Sequence, residues 1–289
     1  MVKLPEPVGF VLGGGGSLGA VQVGMLEALA EQQLSPNLVV GTSVGSLNGA
    51  MVALDPTSAA NRLSHAWARI NRHRVFPGGL LAQVRTLEKS RTNLFPNVGL
   101  AATISDFLGS AMTFDDLKLP FAAVAMDIAT ALPHVMNDGV LESALLASAA
   151  IPGIFPPVAR DGRHLYDGGV VDNVPLQQAV AMGAKSLVVL DCNFPGHLLP
   201  PPSTLAETLL FTVMTAIRSQ VVFEAPLVAE HLPVVYLPGP LAHKVSPLSF
   251  EHTALLIEEA YEAARSFLAT LQIDGPGLYG APAIPATDP

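Results

Sequence analysis

The chain has 289 residues, half of them apolar and only 13% charged, with a formal net charge of −9. That is enough apolar surface for one large core, and the composition is not that of a disordered chain. The acidic balance argues against general nucleic-acid binding, and the single cysteine, Cys192, excludes an internal disulfide.

In chain order, Val8 to Leu12 reads as a buried strand and Gly13 to Gly16 as a glycine-only turn. Ala20 to Gln33 has Val21, Met25, Leu26 and Leu29 at helical spacing. Leu38 to Val40 is a second strand, and Val44 to Leu54 a second helix stopped by Asp55-Pro56. This alternation predicts a parallel sheet with covering helices. Further strands are expected at Phe121 to Met126, Ser186 to Asp191 and Val234 to Leu237, and helices at Leu141 to Ala150 and Pro175 to Met182. Thr204 to Phe223 and Phe250 to Leu271 read as longer amphipathic helices, Pro195 to Pro202 as a loop, and Gly275 to Pro289 as a tail without fixed structure. No linker separates two cores, so one domain is expected over 1–274: a motif-bearing core at about 8–191, a helical extension at about 203–272, and a disordered tail at 275–289.

No uninterrupted apolar run approaches the ~18 residues of a membrane span. The N-terminus lacks the long apolar region of a signal peptide, so a cytoplasmic protein is the expectation. Between Arg62 and Arg91, seven basic residues stand against one acid, Glu88, with Trp67, Phe76, Leu80 and Leu81 interleaved. This stretch is either a surface that rests on anionic lipid headgroups or the solvated face of helices packed by Leu63, Trp67 and Ile70.

Ser43 lies in Gly41-Thr42-Ser43-Val44-Gly45, a G-x-S-x-G between a strand-like and a helix-like run. A serine at the apex of such a turn points its hydroxyl out of the chain, and Gly41 and Gly45 keep the turn clear. A right-handed crossover would set Ser43 and the glycine loop at one sheet edge, ~5 Å apart if the strands are neighbours. The bare N–H groups of Gly14, Gly15 and Gly16 could then hold an oxyanion while Ser43 attacks a carbonyl. Gly14-Gly15-Gly16-Ser17-Leu18-Gly19 also fits G-x-G-x-x-G. A dinucleotide site, however, needs an acid at the end of the next strand, and Gly41-Thr42-Ser43 stands there.

Asp167 precedes Gly168 and Gly169, where a carboxylate can face an open cleft; alternatively Asp-Gly is a hairpin turn. Asp172 reads as a turn or cap residue, and Asp127, at a strand end, as a residue ordering the site. None of the eight histidines sits in a recognisable strand-end motif. Cys192 reads as a buried structural thiol. No metal or cofactor motif is visible.

The glycine loop with Gly19, the Ser43 elbow and Asp167-Gly168-Gly169 together resemble the patatin-like phospholipases. Ala147 to Val158 is similar to the segment leading into that family's catalytic aspartate. The resemblance covers Val8 to about Asp191. It implies a three-layer α/β/α fold with a mostly parallel sheet and acyl-ester hydrolysis on lipids. It also implies a dyad, with Ser43 as nucleophile and Asp167 as general base. A carboxylate with an ordinary pKa of ~3.9 is a poor base for serine, so Asp167 must be partly dehydrated. Leu18 departs from the family, which commonly has Arg or Lys there, so a cation's help is lost. The competing readings are an α/β-hydrolase triad completed by His231 or His252, which only one preceding strand argues against, and a non-catalytic lipid binder. Headgroup and acyl preference would depend on the groove built by 56–120 and 195–250.

Overall fold

The computed structural model describes residues 2–78, 80–193, 201–202, 205–240 and 245–282. Most of the expected loop Pro195–Pro202 lies outside them, as do His197, His243 and residues 283–289 of the expected tail.

The strands are β1 (Val8–Leu12), β2 (Leu38–Thr42), β3 (Phe121–Asp127), β4 (Leu132–Met136), β5 (Val158–Arg160), β6 (Arg163–Asp167), β7 (Ser186–Leu190), β8 (Pro233–Tyr236) and β9 (Gly277–Tyr279). The helices are α1 (Ala20–Glu31), α2 (Val44–Leu54), α3 (Ala59–Trp67), α4 (Arg72–Val75), α5 (Leu80–Ser90), α6 (Val98–Leu108), α7 (Leu141–Ser148), α8 (Leu176–Ala181), α9 (Leu205–Ala229) and α10 (Thr253–Thr270). One sheet runs in the order β5-β6-β3-β2-β1-β7-β8-β9, with β4 also paired to β3. The run from β3 through β2, β1, β7 and β8 to β9 is parallel, whereas β4, β5 and β6 pair antiparallel.

Both faces of the central strands are covered, which is why they read as apolar without alternation. Phe10, Leu12 and Val39 enter a core with α1, α2, α3, α6, α7 and α10, while Val11, Val40 and Val189 enter a second core with α8 and α9. The result is the expected three-layer α/β/α arrangement. Helix α1 is sandwiched between the sheet and α10. At Gly24 a Cβ would come within 2.1 Å of the Ile257 carbonyl, so the two helices meet backbone to backbone.

The expected tail begins too early. Gly277–Tyr279 pairs in parallel with β8, because the short run Gly277-Leu278-Tyr279 reaches an edge strand that still offers unpaired backbone groups. The hairpin of β5 and β6 was not foreseen. Asp161 and Gly162, both at positive φ (50° and 75°), form its two-residue turn, so the Asp-Gly hairpin signal belongs here and not at Asp167-Gly168.

Candidate active site

The register of β3 brings two distant segments together. Its first half pairs with β2, ending at Thr42 opposite Val124, and its second half pairs with β6, where Asp167 lies opposite Ala125. Strand β4 pairs with both halves and therefore takes the other edge. So β2 and β6 approach each other head to head along one flank of β3, and the residues at their meeting ends are Ser43 and Asp167. Gly168 makes the junction possible: a Cβ there would lie 2.4 Å from the Val124 carbonyl oxygen.

Ser43 has φ 55° and ψ −128°, a left-handed conformation unfavourable for a non-glycine residue. Ser43 N–H donates to Ser148 Oγ (2.9 Å), whose hydroxyl donates to the Val124 carbonyl (2.6 Å). Thr42 Oγ1 donates to the Asp172 carbonyl at 2.9 Å. Gly45 presses α2 against the glycine loop, where a Cβ would meet the Leu12 carbonyl oxygen at 2.2 Å. Gly41 is crowded in the same way by the Gly45 carbonyl.

Ser43 Oγ donates to Asp167 Oδ2 at 2.6 Å, and both residues are buried, 6% and 5% exposed. Asp167 Oδ1 accepts from Gly169 N–H at 2.8 Å. Desolvation pushes the Asp167 carboxyl up to about 6, against the opposing pull of the Ser43 and Gly169 hydrogen bonds.

The glycine loop follows β1 beside β2. Gly13 N–H donates to the Leu190 carbonyl (3.0 Å), and Gly14 N–H to the Asn173 carbonyl (3.2 Å). The expectation that Gly14 offers a free N–H is therefore corrected: the loop spends that donor on its own anchorage. Gly15 and Gly16 N–H have no partner among the described residues. The Gly14 carbonyl accepts from Asn173 Nδ2 and Asn193 Nδ2, both at 3.3 Å. The Gly13 carbonyl accepts from Gln22 Nε2 (2.8 Å) and Cys192 Sγ (3.2 Å). Cys192 is fully buried, and burial raises its thiol well above the usual range.

Leu18 is wholly buried in the apolar core, so a cation at this position would have to be buried too. Asp127 accepts from Ala129 N–H (2.9 Å) and pairs with Arg163, ordering the β3–β4 turn. Asp172 is buried, and its carboxyl rises to about 7 through desolvation and the nearby Glu224. His231 and His252 are exposed and do not line the cleft.

A cleft of about 430 Å³ opens over Gly14–Gly16, Ser43, Asp167 and Asn193, walled by Ile151, Ile154, Met214, Ile217 and Leu248. Adjoining it, and sharing Gly16, Ser43, Ile151, Pro247 and Leu248 with it, lies a smaller, almost wholly apolar pocket of about 70 Å³, lined by Leu47, Trp67, Phe76, Phe107 and Phe155 among others. A hydroxyl paired with a raised carboxyl, two free N–H groups alongside and apolar walls in both adjoining pockets suit attack on an ester with a greasy acyl chain. Ser148, Asn173, Asn193 and Gln22 were missed from the sequence. The signal available for Asn173 and Asn193 was topological: polar residues just beyond segments that converge on the carboxyl ends of parallel strands.

The sequence model of the patatin-like phospholipase family matches residues 10–180. Mouse patatin-like phospholipase domain-containing protein 7 is 33% identical over 190 residues, and human patatin-like phospholipase domain-containing protein 6 is 33% identical over 187. Lysophospholipase nte1 of Aspergillus terreus is 29% identical over 193 residues. The mouse and human matches each cover 64% of this chain but only 13% of the relative, and the fungal one 64% and 12%. Among solved structures, VipD of Legionella pneumophila has a TM-score of 0.49 at 15% identity, covering 92% of this chain and 67% of that one.

Proposed function

The chain belongs to the patatin-like phospholipase family, and from that premise we propose that it is a serine hydrolase of lipid acyl esters, with Ser43 as nucleophile and Asp167 as general base. The observation that carries this reading is the 2.6 Å hydrogen bond between two buried side chains 124 residues apart, inside an apolar cleft.

In the proposed reaction Ser43 Oγ attacks the ester carbonyl carbon, and its proton passes to Asp167 Oδ2. The carbonyl oxygen, now negative, is held by Gly15 and Gly16 N–H, with the N-terminal end of α2 adding favourable potential. The tetrahedral species collapses, and the C–O bond to the alcohol breaks as the alcohol takes the proton from Asp167. Water then attacks the acyl-enzyme, giving its proton to Asp167, and Ser43 recovers a proton as the free acid leaves. A carboxyl near 6 is a better base than an ordinary aspartate and is still ionised at neutral pH.

A fluorophosphonate probe tests the nucleophile. Labelling of the unaltered protein and none of Ser43→Ala is expected; equal labelling of both rejects the assignment. A lipid panel read by mass spectrometry, with Ser43→Ala as control, then identifies the ester class.

We also propose peripheral contact with anionic bilayers through residues 62–91, where Arg72, Arg85, Lys89 and Arg91 are exposed and Leu87 is too. Co-sedimentation with phosphatidylserine vesicles that fades with added salt is expected; salt-independent binding would reject an electrostatic contact.

A further inference from the structure

The apolar pocket beside Ser43 does not end against solvent-facing carbon. Ile70, Thr103 and Phe107 line it and also line a neighbouring cavity of about 540 Å³ with a very different wall. That cavity collects Arg62, His65, Arg69 and Arg74 around Asn61 and Asp106. Three arginines and one carboxylate therefore share its lining. Arg74 pairs with Asp106, and Arg62 leans towards Asp55, outside the cavity, at 3.7 Å. Arg69 has no carboxylate partner among the described residues. His65 Nδ1 is held 2.8 Å from the Asn61 carbonyl, an arrangement that makes Nδ1 the donor.

An acyl chain attached at Ser43 and filling the apolar pocket would run towards the wall of Ile70, Thr103 and Phe107 that this cavity shares. A terminal methyl group arriving there gains less than in the apolar pocket, because arginine and other polar side chains share the wall with Met51, Ala66, Ile70 and Phe107. A terminal carboxylate exchanges water for a planar, forked cation, the pairing that guanidinium makes best.

Resting on the hydrolase reading of Ser43, we propose that the arginine cavity is a subsite for an anionic group at the distal end of the acyl chain. The favoured substrates are then esters of acids whose chain carries a second, terminal carboxylate. Ile70, Thr103 and Phe107 form the partition that such a chain passes, and Arg69 supplies the uncommitted positive charge.

Binding can be read without turnover. Trp67 is the only tryptophan and lines the apolar pocket, so its fluorescence reports filling of that pocket. In Ser43→Ala, monomethyl esters of straight-chain dicarboxylic acids are titrated against methyl esters of monocarboxylic acids, matched at each of a series of lengths. At the length where the carboxylate reaches the cavity, the dicarboxylic half-ester should bind about five- to tenfold more tightly. Arg69→Glu in the same background should erase that preference. Circular dichroism of Arg69→Glu, together with the milder Arg69→Gln, separates loss of charge from loss of fold. Equal affinities at every length, or a preference that survives both substitutions, overturns the proposal. With Ser43 restored, the ratio of kcat/KM for the two ester types should follow the binding ratio. A binding preference without any turnover would reject the hydrolase reading and leave the subsite standing.

Discussion

The two regions that meet at Ser43 are built on different principles. On the side of Asp167 and the glycine loop, the polar groups are fixed through backbone: strand register, carbonyls that accept from Gln22, Asn173 and Asn193, and glycines with no room for a Cβ. On the side of the apolar pocket, the walls are mostly side chains, from α2, α3, α4, α6 and the segments 149–155 and 247–250. The first region leaves Ser43 and Asp167 little freedom, because hydrogen-bonded backbone has few alternative arrangements. The second shapes a volume that a rotamer change can alter. Under the proposed reaction, chemistry belongs to the rigid region and selectivity to the adaptable one.

The largest effect that would break this contrast is on the rigid side. Asp167→Asn should lower turnover of a short-chain p-nitrophenyl ester by about 10⁴-fold with little change in far-UV circular dichroism. Loss of less than tenfold would remove Asp167 from the reaction.

Gly45→Ala comes next. With a Cβ 2.2 Å from the Leu12 carbonyl oxygen, overpacking should cost about 3 kcal/mol or more in urea unfolding. An unchanged midpoint would mean that the elbow yields, contrary to the rigidity argued for it.

The raised Asp167 carboxyl gives a pH signature of similar size. Its pKa in the folded protein, about 6, stands above the unfolded value of ~3.9, so the folded state binds the proton more tightly. The favourable contribution is complete below the unfolded pKa and is lost as pH rises through about 6. Asp167→Asn should therefore be more stable than the parent at pH 8, by up to about 3 kcal/mol, and the gap should close by pH 4. Activity runs the other way: kcat/KM of the parent should rise with pH through about 6 and level off, because the base must be ionised. A flat profile between pH 5 and 8 would contradict that role.

Ser148→Ala is expected to be smaller. It removes the acceptor of Ser43 N–H and the donor to the Val124 carbonyl, which should cost about 1–3 kcal/mol and lower kcat more than it raises KM. On the adaptable side, Leu100→Ala should cost less activity than any of these and shift the preferred acyl length, read from a series of p-nitrophenyl esters. Equal loss at every length would mean that this wall does not select chains.

The first two strands and helices were legible because each carries its own signal: apolar runs of strand length, helical spacing, and glycines at turns. Helix α9 runs to Ala229, past the expected Phe223 and through Pro226, which no local rule anticipates. Strand β9 was invisible because three residues hold no periodicity; only the open edge of β8 makes them a strand.

Composition and local pattern alone determined the parallel α/β core, the placement of Ser43 at a strand-to-helix turn and the position of Asp167 ahead of two glycines, since short-range stereochemistry dictates each. Tertiary structure decided that Gly14 N–H is occupied, that Leu18 is interior, and that β2 and β6 meet end to end so that hydroxyl and carboxylate touch. It also decided that Arg62, Arg69 and Arg74 line a cavity next to the apolar pocket. The reason is physical: hydrogen-bond partners, burial and distances between segments depend on long-range register, and register is set by contacts among residues that the sequence keeps far apart.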